Sequence, residues 1–441
     1  MTQPPTLPSR RTLLTGLGGL ALTPILPTAG VGQTRPAVAL HAKPGTIVLR
    51  GDAPSAVWAL QSADPAAAGP LRFRRGDEPD IQFDNQLPVP VAFSCKGLAG
   101  APALEPLLGS KPLAAGGTAA LRAPLRHAGT ALWDVRLLAD GQALPSRLLA
   151  VVVAETEPVT VDRDEVLLIE DFRLRADGAL VAPGTDPGDA IGLFTVNGKP
   201  AFDLTLRSNE RLRLRLINGC HRAVIAMKFG ELAVRVMAID GQPAEPFPAR
   251  NSQLVLAPGT RLDVFIDGTA PSGASTDILL HDGKQPRPVG RLTMSGDAAI
   301  RDKPLPPAAP LSSNGLPDRI ELKSALRIDL PLSASAPDWS RPAELTAATP
   351  PAFRTKPGRT VVLALTNRAT SPMVFHIHGH HMRLLDRLDD GWKPFWLDTL
   401  ALDPGQTQRV AFAAENVGRW LLEAFVADWA APRQVRWYAV D

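Results

Sequence analysis

Cysteine is scarce in this chain of 441 residues, which has two, Cys95 and Cys220. Two cysteines close one bridge at most, so a disulfide framework is excluded, and both are expected to be buried thiols. A strong charge of one sign is also missing. The formal net charge is +3 and no continuous basic stripe occurs, which argues against nucleic acid as a partner. The N-terminal apolar run from Leu13 to Leu26 is short and interrupted by Gly16, Gly18 and Gly19, and no other run is a candidate, so no stable membrane span is expected. There is no Gly-x-Ser-x-Gly elbow, no P-loop and no dinucleotide fingerprint in a strand–helix setting.

What the chain does have is 44 prolines and 36 glycines, a composition that suits many short strands joined by turns. Its length calls for more than one hydrophobic core. Residues 1–32 read as a twin-arginine signal peptide: Arg10-Arg11 precede the weakly apolar run, and small residues Thr28, Ala29 and Gly30 follow it. That implies export and a mature protein in the periplasm. The remainder divides into three similar stretches, 33–156, 157–302 and 319–441, with a Pro-rich linker at 303–318 between the last two. In the first stretch, Pro70–Asp77 and Ile81–Pro88 read as strands on either side of a Gly-Asp turn. In the second, Arg211-Leu212-Arg213-Leu214-Arg215-Leu216 alternates, and so predicts a half-buried strand with a polar outer face. In the third, Pro357-Gly358 and Pro404-Gly405 are turns leading into alternating strands. The expected fold class is all-β, with three consecutive Greek-key β-sandwich domains.

Half of the eight histidines fall in one short stretch, Phe375-His376-Ile377-His378-Gly379-His380-His381. The run before it, Thr360–Asn367, is β-branched and aliphatic and reads as a strand. On an extended backbone residues two apart share a face, so His376 and His378 project together. Imidazoles clustered on one face are a common start for a metal site.

From these motifs the chain resembles the multicopper oxidases, which are built from cupredoxin-like domains. The resemblance rests on Val196-Asn197-Gly198, Arg213–Gly219, Asp240-Gly241-Gln242-Pro243 and Ala257–Val264 in the middle stretch. In the last stretch it rests on His376-Ile377-His378-Gly379, Asp398-Thr399, Asp403-Pro404-Gly405 and Asn416–Trp420. It implies four copper-ligand motifs, and each is altered here. Where the family has a first histidine pair, this chain has Ser94 and Lys96; where it has a second, it has Asp134 and Arg136. The third motif keeps His376 and His378 but has Met373 for its first histidine. In the fourth, Glu423, Ala424 and Phe425 stand for His-Cys-His, and Trp429 for the following histidine. The resemblance thus implies that the blue-copper site is dead, since Ala424 cannot ligate, and that His376 and His378 alone cannot hold three coppers. No metal and no catalytic residue are expected, with copper bound only if the family chemistry is retained.

Two expectations follow for the old copper positions. Lys96, Arg136, Asp134 and Glu423 are expected to form a buried ion-pair network joining the first domain to the third. The competing expectation is an altered metal site of His376, His378, Asp134 and Glu423. For function, one reading is a non-enzymatic periplasmic scaffold, like the ligand-poor cell-division branch of that family (the SufI/FtsP type), with envelope or divisome proteins as partners. The other is a copper-dependent oxidoreductase.

Overall fold

Strands account for nearly all regular structure in the computed structural model, which describes residues 35–64, 69–333, 337–346, 348–386 and 391–441. The twin-arginine segment lies outside the described residues. The strands form six sheets, which pair in chain order into three sandwiches. The first sandwich sets a five-stranded sheet containing Ala37–Arg50 and Asp80–Asn85 against a four-stranded one containing Gly129–Asp134 and Ser94–Lys96. The second sets six strands against five, and the third sets four against five. Three separate apolar clusters fill them, around Trp133, Leu214 and Trp420 respectively. The two strands read around the Gly-Asp turn, Leu71–Arg74 and Asp80–Asn85, lie in different sheets of the first sandwich.

One pairing scheme recurs three times. The opening strand of each sandwich runs parallel to a later one: Ala37–Arg50 with Asp80–Asn85, Arg163–Leu174 with Arg211–Asn218, and Leu326–Leu332 with Thr360–Asn367. That later strand then pairs antiparallel with a third: Thr118–Arg122, Arg261–Asp267 and Thr407–Ala413. A parallel neighbour cannot be reached through a hairpin, so the chain must cross to the opposite sheet in between. Those crossings make each unit a closed two-layer sandwich. The turn at Pro404-Gly405 places Gly405 at φ +73°, a conformation glycine takes without steric cost.

Residues 303–325 carry no strand. Arg211 donates to the Pro306 carbonyl at 2.9 Å, which fixes the Pro-rich segment to the second sandwich. Among the described residues no helix is long and apolar enough to cross a membrane.

The alternating Arg-Leu strand departs from its expected half-burial. All of Arg211–Asn218 is buried, and Arg213 and Arg215 are each 1% exposed. Its leucines fill the core of the second sandwich, while its arginines face the first. Arg213 donates to Glu155 at 2.7 and 3.0 Å and to Asp263 at 2.6 Å. Arg215 donates to Asp164 at 2.7 and 2.8 Å, to Asp263 at 2.9 Å and to the Thr130 hydroxyl at 3.0 Å. The alternation was legible, but the polar face meets carboxylates at a domain junction instead of water.

Candidate functional site

The site forms where the first sandwich meets the third. In the third, Met373–Ile377 pairs with Gly418–Val426 so that His376 lies opposite Glu423 and Phe375 opposite Ala424. Period-two alternation sends Met373, Phe375 and Ala424 into the apolar core and turns His376 and Glu423 toward the first sandwich. His378 follows at the strand end, its ring 4.8 Å from that of His376. The chain then turns at Gly379, at φ +75°, where a Cβ would come within 2.2 Å of the Trp420 ring. Only glycine lets the backbone press that closely and keep both rings in place. From the first sandwich, the strand Ser94–Lys96 directs Ser94 and Lys96 to the junction, with Cys95 packed against the opposite core.

Glu423 is the centre. Its Oε1 accepts from Lys96 Nζ at 2.6 Å and from His378 Nε2 at 2.6 Å. Its Oε2 accepts from Arg433 Nη1. His378 Nδ1 faces Glu105 Oε1 at 3.0 Å, and the same oxygen accepts from the Leu421 amide at 2.9 Å. Both His378 nitrogens therefore face carboxylates and both are donors, the arrangement of an imidazolium. Burial acts against that charge, but Glu105 and Glu423 outweigh it and raise the pKa to about 9. Burial acts against ionised Glu423 as well, and Lys96 and Arg433 outweigh it, holding its carboxyl well below the usual range. His376 behaves oppositely. Burial and then Lys96 push its pKa down to about 3. Its Nδ1 lies 2.9 Å from the Thr399 hydroxyl, which itself donates to Asp398 at 2.8 Å, so the His376 proton sits on Nδ1.

A second joint lies beside it and touches all three sandwiches. Arg261 donates to Asp398 at 2.9 and 2.7 Å, to the Asp240 carbonyl at 2.9 Å and to the Thr130 carbonyl at 3.3 Å. Asp240 in turn accepts from the Asp398 and Thr399 amides at 2.9 and 3.1 Å.

The structure keeps one pair of the expected ion network, Lys96 with Glu423, and corrects the rest. Arg136 leaves the junction. It donates to the Ser146 and Gly219 carbonyls, both at 2.6 Å, and to Glu170 at 3.2 Å, tying the first sandwich to the second. It lies just beyond Gly129–Asp134, and its long side chain reaches acceptors on the second sandwich, the unit that Leu132 of that strand also packs against. Asp134 is satisfied locally by the Arg136 amide at 2.9 Å. Asp134 is accordingly also outside the metal-type group of the described residues, which comprises His376, His378 and Glu423. Ser94 is 1% exposed and its hydroxyl has no protein partner. The guanidiniums of Arg222 and Arg433 lie 5.0 and 4.8 Å from the Phe425 ring centre. Trp429 donates to the Ala182 carbonyl at 3.1 Å under the Arg173 guanidinium. Glu105 and Arg433 were missed, because neither belongs to a recognisable motif. Cys95 and Cys220 are free thiols, the first half-buried and the second buried.

These residues do not fit copper. His378 has no free lone pair, and both oxygens of Glu423 face cations. A divalent ion brought against Glu423 would meet the Lys96 ammonium, and the two like charges repel. At the neighbouring position Ala424 offers no donor atom, and Trp429 uses its only N–H on a carbonyl.

The histidines set a pH dependence with two signs. Burial chiefly pushes His127, His376 and His380 down to about 3. Unfolded histidine titrates near 6.5, so the stability these rings contribute is complete above pH 6.5 and is lost as pH falls toward 3. For His378 it is complete below pH 6.5 and lost as pH rises through about 9. The unfolding free energy is expected to be largest near neutral pH and to decline on both sides. His378→Gln should flatten the decline between pH 6.5 and 9 and leave the acid limb intact, as denaturant titrations at fixed pH would register.

Two sequence profiles, both described as Multicopper oxidase, match residues 167–274 and 320–435. Multicopper oxidase MmcO of Mycobacterium tuberculosis is 24% identical over 410 residues, covering 80% of this chain and 78% of that protein. Cell division protein FtsP of Pectobacterium atrosepticum is 29% identical over 233 residues, 49% of this chain and 48% of that protein. A solved multicopper oxidase from Pseudomonas thermotolerans superposes with a TM-score of 0.78 at 23% identity, covering 93% of this chain and all of that one. The all-β architecture of three consecutive cupredoxin-like sandwiches is the one that solved structure shares.

Proposed function

Since the chain belongs to the multicopper oxidase family, we propose that it is an exported member of that family that has given up copper redox chemistry and serves as a non-enzymatic scaffold of the cell envelope. The observation that carries this reading is the Glu423 cluster: the side chains that would face a metal are consumed by Lys96, Arg433 and Glu105. On this reading Ser94, Lys96, Asp134, Arg136, Met373, Glu423, Ala424, Phe425 and Trp429 occupy former copper-ligand positions. Only His376 and His378 remain of the histidine set, and electrons have no blue-copper entry point. Likeness to a cell-division protein supports a role beside divisome or other envelope proteins, in the periplasm, after export through the Arg10-Arg11 signal.

Protein purified from its native periplasm is expected to carry far less than one copper per chain, to lack a blue absorption band and to leave phenols and cuprous ion unoxidised. Stoichiometric copper with turnover would sink the proposal. Cross-linking in intact envelopes tests the scaffold half, which requires a reproducible envelope-protein adduct.

A further inference from the structure

Among the described residues, His376, His378 and Glu423 form the group whose ligand-type atoms all lie within 4.8 Å of one another. Two imidazoles and a carboxylate in that range are the donor chemistry of a single divalent first-row cation such as zinc, and not of calcium, which takes oxygen ligands. Here Glu423 and His378 are already engaged. Lys96 Nζ and His378 Nε2 meet one oxygen of Glu423, and Arg433 meets the other. The second His378 nitrogen is held by Glu105, and Nδ1 of His376 by Thr399. Lys96 and Glu105 come from the first sandwich, and Glu423, His378 and Arg433 from the third. All five are buried. His376, His378 and Glu423 all belong to the third sandwich, so it is Lys96 and Glu105 that carry the contact across to the first.

We infer that this is a metal site held shut by the chain's own cations: Lys96 and Arg433 cover both oxygens of Glu423, and Lys96, together with the His378–Glu105 contact, joins the first sandwich to the third where an ion would otherwise sit. A fixed cation does this without a metal supply, and it repels any free ion that arrives. In Lys96 the two functions are inseparable, because the side chain that spans the junction also covers a ligand oxygen. The inference deepens the copper-free reading and rests on it, but the two fail differently.

The test uses the full chain with Lys96→Met and Arg433→Met combined, titrated with zinc and, for its visible spectrum, cobalt. The double variant is expected to bind one ion with an affinity on the order of 10- to 100-fold above wild type, the range that changes around metal ligands produce. Zinc should raise its melting temperature and leave that of the wild type unmoved. Adding His376→Ala should abolish the gain. Lys96→Gln keeps a hydrogen-bond donor but drops the charge, and it should show the same zinc gain in smaller measure if the double variant fails to fold. A wild type that binds zinc as tightly as the variants, or folded variants that gain nothing, overturns the inference while leaving the copper-free reading standing. Copper bound by wild type with a blue band would overturn that reading instead.

Discussion

Asp263→Ala is expected to cost about 3–5 kcal/mol of unfolding free energy, the range for removing one partner from a buried ion pair. Asp263 is 1% exposed and carries three donors at once: Arg213 at 2.6 Å, Arg215 at 2.9 Å and the Thr130 hydroxyl at 2.6 Å. Burial disfavours its charge, but the two guanidiniums more than compensate and keep the carboxyl below the ordinary range. Without it Arg213 retains Glu155 and Arg215 retains Asp164, so neither arginine is wholly orphaned. Each is still left with an excess of positive charge in a space water does not reach. Thr130 belongs to the first sandwich, so the loss should also loosen the junction between the first and second. Asp263→Asn keeps the shape and one acceptor and should cost less. Urea denaturation of both variants checks this, and an alanine variant within about 1 kcal/mol of wild type would mean that the arginines re-pair.

Glu423→Ala should be at least as damaging, again about 3–5 kcal/mol or more by the same reasoning. It removes the shared anion of Lys96, Arg433 and His378 and leaves Glu105 as the nearest direct partner of only one of them. Like charges confined at this spacing repel, and the simplest escape is loss of the His378 proton. The variant's His378 should therefore titrate well below the wild-type ring, a change that nuclear magnetic resonance of the imidazole would reveal. Glu423→Gln separates charge from packing: it preserves volume, so a comparable loss there assigns the effect to charge. Unchanged stability in both variants would refute the central role given to Glu423.

Local patterns in the chain carried most of the fold. Thr360–Asn367 is a strand over the residues its β-branched run suggested, and Pro357-Gly358 and Pro404-Gly405 are turns with glycine at positive φ. The pairing of His376 with His378 follows from strand periodicity alone. Contacts between sandwiches were harder to read, because they depend on where separate domains come to rest. Arg213 and Arg215 looked solvent-facing since nothing local marks Glu155 or Asp164 as their partners. Motif position pairs Arg136 with Glu423, yet side-chain reach carries it to Glu170. Glu105 and Arg433 sit in stretches without periodicity or motif, and only the folded junction gives them a role.

Arg261 has a wider implication. Its guanidinium is wholly enclosed and holds acceptors from all three sandwiches. Any one unit peeling away would strand that cation among groups that cannot solvate it. Although three apolar interiors are present, Arg261 ties all three units together at one point, so loosening one unit weakens its hold on the other two. Proteolytic or genetic excision of a lone unit therefore exposes a surface that evolved as interior, and such fragments have no reason to behave as independent proteins.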